Sequence, residues 1–141
     1  MSSLRSAEPC LVMSDPIYVL DASALLATLF EEAGSEAVEA ILSGSRISAA
    51  NFSEVVAKLS DHGVANEDIL RDLAELDIVV CDFDRMQAET TGLLRQKTKS
   101  AGLSLGDRAC LALAAALGGT VVTADRVWAN LNLDVPIQVV R

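Results

Sequence analysis

Short apolar runs alternate with amphipathic segments along this chain, and the alternation predicts its secondary structure. Residues 17–20, 78–80 and 120–123 are short runs of mostly branched apolar residues, typical of strands buried on both faces of a sheet. Residues 46–49 and 137–140 are two further strand candidates, the last at a sheet edge. Between the runs, apolar residues recur every three or four positions, as in helices that pack on a sheet.

Glycines and capping residues place the helix boundaries. We expect helices over residues 22–32, 35–42, 52–62, 67–76, 84–100 and 105–117, several of them ended by a glycine such as Gly63 or Gly118. Asn51 and Asn66 are expected N-caps, and Ser104 is spaced for a capping box with Asp107. Strands that alternate with helices predict an α/β fold with a parallel sheet covered on both faces.

Composition narrows the class of protein. The 141 residues carry a net charge of −9, which counts against broad, charge-driven binding of nucleic acid. It does not exclude an enzyme whose acidic residues hold metal ions that meet phosphates. No apolar run approaches the roughly 20 residues of a membrane span, so we expect a cytoplasmic protein with no membrane association. Cys81 and Cys110 are expected to be reduced core residues.

Four acidic residues stand where a parallel sheet would bring them together. Asp21 and Asp125 each end an apolar strand, whereas Glu54 and Asp107 are expected in the first turn of a helix. In a parallel α/β sheet, the carboxyl ends of strands and the first turns of the following helices share one edge. With one histidine and no CxxC pair, a metal here would take oxygen ligands, which favours Mg²⁺ or Mn²⁺.

Each of these acids also has a purely structural interpretation. Asp21 and Asp125 suit N-caps, and Asn51 with Glu54 is spaced like a capping box, as Ser104 is with Asp107. Against this, carboxylates crowded at one buried edge repel one another unless a cation compensates them. Small polar neighbours are also available to orient the acids: Ser23, Asn51 and Thr123.

Four stretches together resemble the acidic motifs of PIN domains. They are VLDASAL from Val19, NFSEV from Asn51, LSLGDRA from Leu103 and VTADRVW from Val122. They occur in the family's order and at its usual intervals, and the closest variety is the VapC toxin of toxin–antitoxin pairs. The resemblance covers residues 17–141. We therefore expect a PIN domain over residues 16–141, preceded by a poorly ordered leader over residues 1–15.

The resemblance implies a fold, an activity and partners. The fold is an α/β/α sandwich with a central parallel sheet of four to five strands, usually in a homodimer. The activity is Mg²⁺- or Mn²⁺-dependent RNA cleavage, with a VapB-type antitoxin as partner. Carried over by motif, the metal-binding and catalytic residues are Asp21, Glu54, Asp107 and Asp125. Ser23 and Thr123 match the hydroxyl positions that support them.

The sequence also offers candidates for substrate contacts and for competing functions. Arg108 and Arg126 each lie beside a proposed ligand, so either is a candidate to bind RNA phosphate. A haloacid-dehalogenase-like phosphatase is disfavoured because position 23 is serine, not aspartate. A response-regulator receiver is disfavoured because Thr123-Ala124-Asp125 lacks its lysine. A non-catalytic PIN-like binding module, in which the acids serve only as caps, is the main alternative.

Overall fold

The computed structural model describes residues 16–141, and five parallel strands form the centre of this part of the chain. They lie in the order β3-β2-β1-β4-β5, and every neighbouring pair is parallel. The sheet confirms the predicted parallel architecture. The strands are β1 Tyr18–Leu20, β2 Ser45–Ser48, β3 Ile78–Cys81, β4 Thr120–Thr123 and β5 Ile137–Val139. The expected leader, residues 1–15, lies outside the described residues.

Helices cover both faces of the sheet. Successive residues of a strand point to opposite faces, so Val19 and Val121 pack on one side while Leu20 and Val122 pack on the other. This arrangement is the predicted α/β/α sandwich. The helices are α1 Ala22–Leu29, α2 Ser35–Ile41, α3 Ala49–Asp61, α4 Asn66–Ala74, α5 Arg85–Leu93, α6 Arg95–Thr98 and α7 Leu105–Leu117, with 3₁₀ turns at Lys99–Ala101 and Arg126–Asn130.

The start of α3 differs from the sequence prediction, and the difference moves two proposed site residues. Ser48 is the N-cap and accepts a hydrogen bond from the Ala50 N–H, so the helix begins at Ala49. Asn51 is therefore inside the first turn, and the prediction that it caps the helix is wrong. Glu54 lies in the second turn, so the predicted Asn51–Glu54 capping box is wrong too.

Two further helix boundaries, one strand and one thiol also depart from the sequence prediction. Helix α1 ends at Leu29 and not at residue 32. Helix α4 begins at Asn66 with Ala65 as its N-cap, so the prediction that Asn66 is the N-cap is wrong. Strand β3 is a sheet edge, and Val80 is 40% exposed where a buried run was expected. Cys110 is a buried free thiol as predicted, but Cys81 is disulfide-bonded, so the expectation of a reduced thiol is wrong there. Within residues 16–141, none of the helices has the length and apolar character needed to span a membrane.

Gly34 joins α1 to α2, and its replacement by alanine is expected to destabilise the fold. Its φ of 96° is unfavourable for residues with a Cβ, and a Cβ there would lie 2.8 Å from the Val140 carbonyl oxygen. We expect Gly34→Ala to lower the free energy of unfolding by about 2–3 kcal/mol, measured by urea denaturation.

Gly63→Ala is the matched control for this substitution. Gly63 also has a positive φ, 82°, but no atom lies within 4 Å of its added Cβ. Only the backbone strain of about 1 kcal/mol should remain in this variant. Equal losses in the two variants would contradict the proposed steric contact with Val140.

Candidate active site

The chain changes direction across the sheet between β1 and β4. From β1 it proceeds to β2 and β3 on one side, whereas β4 and β5 lie on the other. At such a switch point, a crevice opens outside the carboxyl ends of the strands. Asp21 directly follows β1, and its backbone N–H donates to the Val122 carbonyl oxygen at 3.2 Å. The first predicted acid thus lies at the point of the sheet most suited to a ligand.

Hydroxyl groups from both sides of the switch point fix the Asp21 carboxylate. Ser23 Oγ donates to Asp21 Oδ1 at 2.8 Å, and Thr123 Oγ1 donates to Oδ2. Ser23 Oγ in turn accepts from the Ala124 N–H at 2.9 Å, and Thr123 Oγ1 accepts from the Asp125 N–H at 3.1 Å. Because each hydroxyl has one proton and gives it to Asp21, these bonds tie the end of β1 to the end of β4.

The Asp21 carboxylate is nearly inaccessible to water. The residue is 3% exposed, and this burial raises its pKa to about 6. Hydrogen bonds from Thr123, from the Ala24 N–H and from Ser23 oppose the rise, whereas the negative charge of Asp107 adds to it. At neutral pH a poorly solvated negative charge therefore sits at the switch point, and a cation would stabilise it.

Asn51 holds the second acid. Its buried Nδ2 donates to Glu54 Oε1 and to the Gly106 carbonyl oxygen, both at 2.9 Å. The Glu54 carboxylate occupies the space of a missing side chain, because a Cβ on Gly106 would lie 2.4 Å from Oε1. Asn51 Oδ1 is buried and accepts no hydrogen bond from the described residues. Gly106 was not singled out from the sequence, although a glycine directly before a proposed acid was the available signal.

The remaining two acids are held by local backbone bonds. Asp107 Oδ2 accepts from the Ser104 N–H at 3.0 Å, which completes the predicted capping box at the start of α7. Asp125 Oδ1 accepts from the Val127 N–H at 3.0 Å and so caps the following 3₁₀ turn. The other oxygen of each carboxylate accepts no hydrogen bond within residues 16–141.

Three of the four acids lie within electrostatic reach of one buried thiol. Burial raises the pKa of Cys110 well above its ordinary value, and the charges of Asp21, Asp107 and Glu54 raise it further. Asp125 is joined to them through Thr123 and lies at the exposed rim. Among the described His, Cys, Asp and Glu side chains, no three are close enough to form a complete metal-ligand set as they stand.

The two arginines predicted to contact substrate lie in different environments. Arg108 is 8% exposed, and its Nη1 donates to the Thr91 carbonyl oxygen at 2.9 Å, so it joins α7 to α5. The expectation that Arg108 binds substrate is therefore corrected. Arg126 is exposed and lines an open depression of about 630 Å³ together with Ser23, Asp125 and Arg141.

Comparison with known proteins adds a family match. The family model described as PIN domain matches residues 18–132, which contain all four acids. A search of curated proteins found no match.

Several solved structures share the fold. DNA-bound VapBC from Salmonella typhimurium aligns with a TM-score of 0.68 at 21% identity, covering 88% of this chain and 98% of that one. A toxin–antitoxin complex from Klebsiella pneumoniae aligns with a TM-score of 0.66 at 21% identity, covering 82% and 92%. VapBC-5 from Mycobacterium tuberculosis aligns with a TM-score of 0.54 at 19% identity, covering 90% and 99%. At these identities the likeness shows a common fold.

Proposed function

The chain belongs to the PIN domain family, and from this premise we propose that it hydrolyses RNA phosphodiester bonds with the aid of Mg²⁺ or Mn²⁺. Members of this family are generally nucleases. We further propose that it is an endoribonuclease of the VapC type and that Asp21, Glu54, Asp107 and Asp125 form its catalytic and metal-binding set.

One observation carries this proposal. Asp21, Glu54 and Asp107 come from three separate segments of the chain. All three lie near enough to the buried Cys110 thiol for their charges to raise its pKa. Helix capping does not explain why these three acids lie close together, because each capping residue stabilises only its own helix. The charge of Asp107 also contributes to the raised pKa of Asp21, and a bound cation would lower that pKa.

The residues present fit a hard divalent cation. The donor set consists of carboxylate oxygens, which Mg²⁺ and Mn²⁺ prefer over nitrogen and sulfur ligands. Asp107 and Asp125 each have one carboxylate oxygen that accepts no hydrogen bond from residues 16–141. Asn51 Oδ1 is buried and likewise accepts none from these residues. Asp21 and Asp107 would hold the cation with Asp125, and Glu54 would hold a second cation or orient water.

The protein's own groups would supply position and charge. When bound, a divalent cation offsets the phosphate charge and lowers the pKa of a coordinated water. Ser23 and Thr123 hold Asp21 in one orientation, and Asn51 does the same for Glu54. Arg126 is placed beside Asp125 at the open rim, where its guanidinium can bind a phosphate oxygen of the RNA.

The biological setting is proposed from the structural neighbours. The alignment with VapBC from Salmonella typhimurium covers 98% of that chain and 88% of this one. We propose that this protein acts in the cytoplasm as the toxin of such a pair, as a homodimer inhibited by a VapB-type antitoxin. Co-expression with a candidate antitoxin should yield a stable complex, and a chain that purifies alone would contradict the partnership.

A non-catalytic binding module is the second candidate, and one observation favours it. Asp21, Asp107 and Asp125 all accept capping hydrogen bonds, so each has a structural use without any chemistry. In that case conservative replacement of the acids would leave every function of the protein intact.

Cleavage of RNA by Asp107→Asn separates the two candidates. Asparagine can still accept the capping bond from Ser104 but brings no charge to a cation. We expect wild type to cut RNA with Mg²⁺ or Mn²⁺ and not with EDTA, and Asp107→Asn to be at least about 100-fold slower. The assay is cleavage of total RNA, with fragment ends mapped by sequencing.

Asp84→Asn is the matched control for this assay. Asp84 caps α5 through a hydrogen bond from the Gln87 N–H at 2.9 Å, but it follows the edge strand and not the switch point. Full activity is expected in this variant. Equal cleavage by wild type and Asp107→Asn would contradict the proposed acidic site.

A further inference from the structure

A groove between α1 and α3 opens beside the acids. Ser23, Leu26 and Phe30 recur at three- and four-residue intervals and form its α1 wall. Lys58 and His62 form the α3 wall, and Arg141 and Glu32 lie on the rim. The groove is open to solvent, and its volume of about 310 Å³ is at the lower end of the range for small-ligand pockets.

The groove continues directly from the proposed active site. Ser23 donates to Asp21 and lines both this groove and the open depression beside Asp125. On α3, Glu54, Lys58 and His62 follow one another at four-residue intervals, so they lie along one face. An RNA strand bound at the four acids could therefore continue into the groove between α1 and α3.

Two rings, those of Phe30 and His62, line the groove and contact each other. The ring centroids of Phe30 and His62 are 4.6 Å apart, with an angle of 34° between the rings. Phe30 is half-buried and packs against the core, and His62 Nδ1 contacts the Lys58 carbonyl oxygen at 2.9 Å. Both rings are therefore held in place before anything binds. The two residues are separated in the sequence by α2, β2 and α3, so only tertiary packing brings their rings together.

The groove is lined by two cations, Lys58 and Arg141, and one acid, Glu32, although the protein as a whole is strongly acidic. Lys58 forms no salt bridge with the residues that the structure describes. Arg141 pairs only with Glu32, at 3.3 Å, and both side chains are substantially exposed. Such surface pairs contribute little and exchange readily for a stronger anion. Positive charge beside apolar and aromatic walls matches a nucleotide, which combines an anionic phosphate with a flat base.

We propose, on the basis of the RNA cleavage proposed above, that this groove binds one nucleotide of single-stranded RNA adjacent to the scissile phosphate. The base stacks against the Phe30–His62 pair, and Lys58 and Arg141 bind the neighbouring phosphate oxygens. The groove is thus a substrate-binding subsite beside the acidic centre, and it accepts any base that can stack.

Binding of labelled RNA tests this subsite independently of cleavage. The probe is a fluorescein-labelled, randomised single-stranded RNA of about 12 nucleotides, within the usual span of single-strand sites. Binding is measured by anisotropy with EDTA, so that the proposed cleavage does not occur. A second probe of equal length carries abasic riboses. We expect Phe30→Leu to weaken binding of the first probe by about 10-fold, because its bases can stack on the ring. Binding of the abasic probe should be unchanged. Lys58→Gln should weaken binding of both probes. It should also reduce the slope of log affinity against log salt concentration by about 0.7.

Two variants serve as matched controls. Phe52→Leu shortens another half-buried ring of the same core cluster, and Lys97→Gln removes an exposed cation of α6. Neither residue lines the groove, so both variants should bind the RNA probes as wild type does. Crosslinking of a 5-iodouridine RNA should label Phe30 or His62.

Different failures identify different errors. The subsite is wrong if wild type binds neither RNA, if Phe30→Leu affects both probes equally or neither, or if a polyglutamate peptide competes as well as RNA. In the last case the occupant would be an acidic protein segment. If the groove variants lose RNA binding but wild type cuts no RNA with Mg²⁺ or Mn²⁺, cleavage is refuted and the nucleotide site stands.

Discussion

Asp21→Asn should abolish RNA cleavage and yet stabilise the metal-free protein at neutral pH. The loss of activity follows from removing the most buried of the four proposed ligands, and we expect at least about 100-fold. The gain in stability follows from removing a charge that burial disfavours. Its pKa is raised from 3.8 to about 6, and two pKa units correspond to roughly 3 kcal/mol. Part of this gain in stability is lost because asparagine has an N–H donor in place of one carboxylate acceptor. We therefore expect the free energy of unfolding to rise by about 1–2 kcal/mol.

The hydrogen bonds around Asp21 can accommodate the amide. Asparagine Oδ1 can still accept from Ser23 and from the Ala24 N–H, which preserves the start of α1. The amide Nδ2 can donate to Thr123 Oγ1, whose own proton can turn to Ser23 Oγ, 3.3 Å away. The variant is therefore expected to fold.

The stability difference should depend on pH in one direction. Because the folded pKa of Asp21 lies above its unfolded value, folding is penalised where the unfolded chain has lost the proton. The penalty is complete above about pH 6 and absent below about pH 3.8. The gap between Asp21→Asn and wild type should close as the pH falls through this window.

Urea denaturation with EDTA from pH 4 to 8 measures the gap. Asp84→Asn, which replaces an exposed capping aspartate, should show no comparable gap. A variant that is less stable than wild type at pH 7.5, or a gap that widens in acid, would contradict the buried charge. Adding Mn²⁺ should stabilise wild type and not Asp21→Asn.

Gly106→Ala should lower RNA cleavage without unfolding the protein. The new Cβ would lie 2.4–2.6 Å from the Glu54 carboxylate, which must move away from its bond with Asn51. This movement is easy, because the carboxylate ends a flexible side chain, and alanine favours a helix over glycine by up to about 1 kcal/mol. We expect stability to be unchanged or slightly higher and cleavage to fall by about 10–100-fold.

Gly92→Ala is the control for Gly106→Ala. Gly92 lies within α5, and no atom is within 4 Å of its added Cβ. It should gain the same helix preference and keep full activity. If Gly106→Ala cleaves RNA as fast as wild type, the position of the Glu54 carboxylate does not matter for cleavage.

Local signals in the sequence account for most of the fold. Continuous apolar runs identified β1 and β4, and the Ser104–Asp107 spacing identified the start of α7, because these features depend on neighbouring residues alone. The start of α3 was missed because Ser48 and Asn51 are both good caps. Only the end of β2, set by pairing with β1 and β3, decides between them.

Features that depend on distant contacts were beyond sequence reasoning. The exposure of Val80 depends on β3 being an edge strand. The burial of Arg108 depends on α5 packing over α7, where the Thr91 carbonyl oxygen accepts its bond. The Phe30–His62 pair exists only because α1 and α3 lie side by side. In each case the residue type was compatible with two environments, and tertiary packing selected one.

Anomalous diffraction from crystals soaked in Mn²⁺ tests the acidic centre most directly. We predict a Mn²⁺ peak in contact with the carboxylates of Asp21 and Asp107 in wild type, and no peak there in Asp21→Asn crystals grown under the same conditions. A wild-type protein that cuts RNA with Mn²⁺ but shows no Mn²⁺ at these two carboxylates would contradict the account.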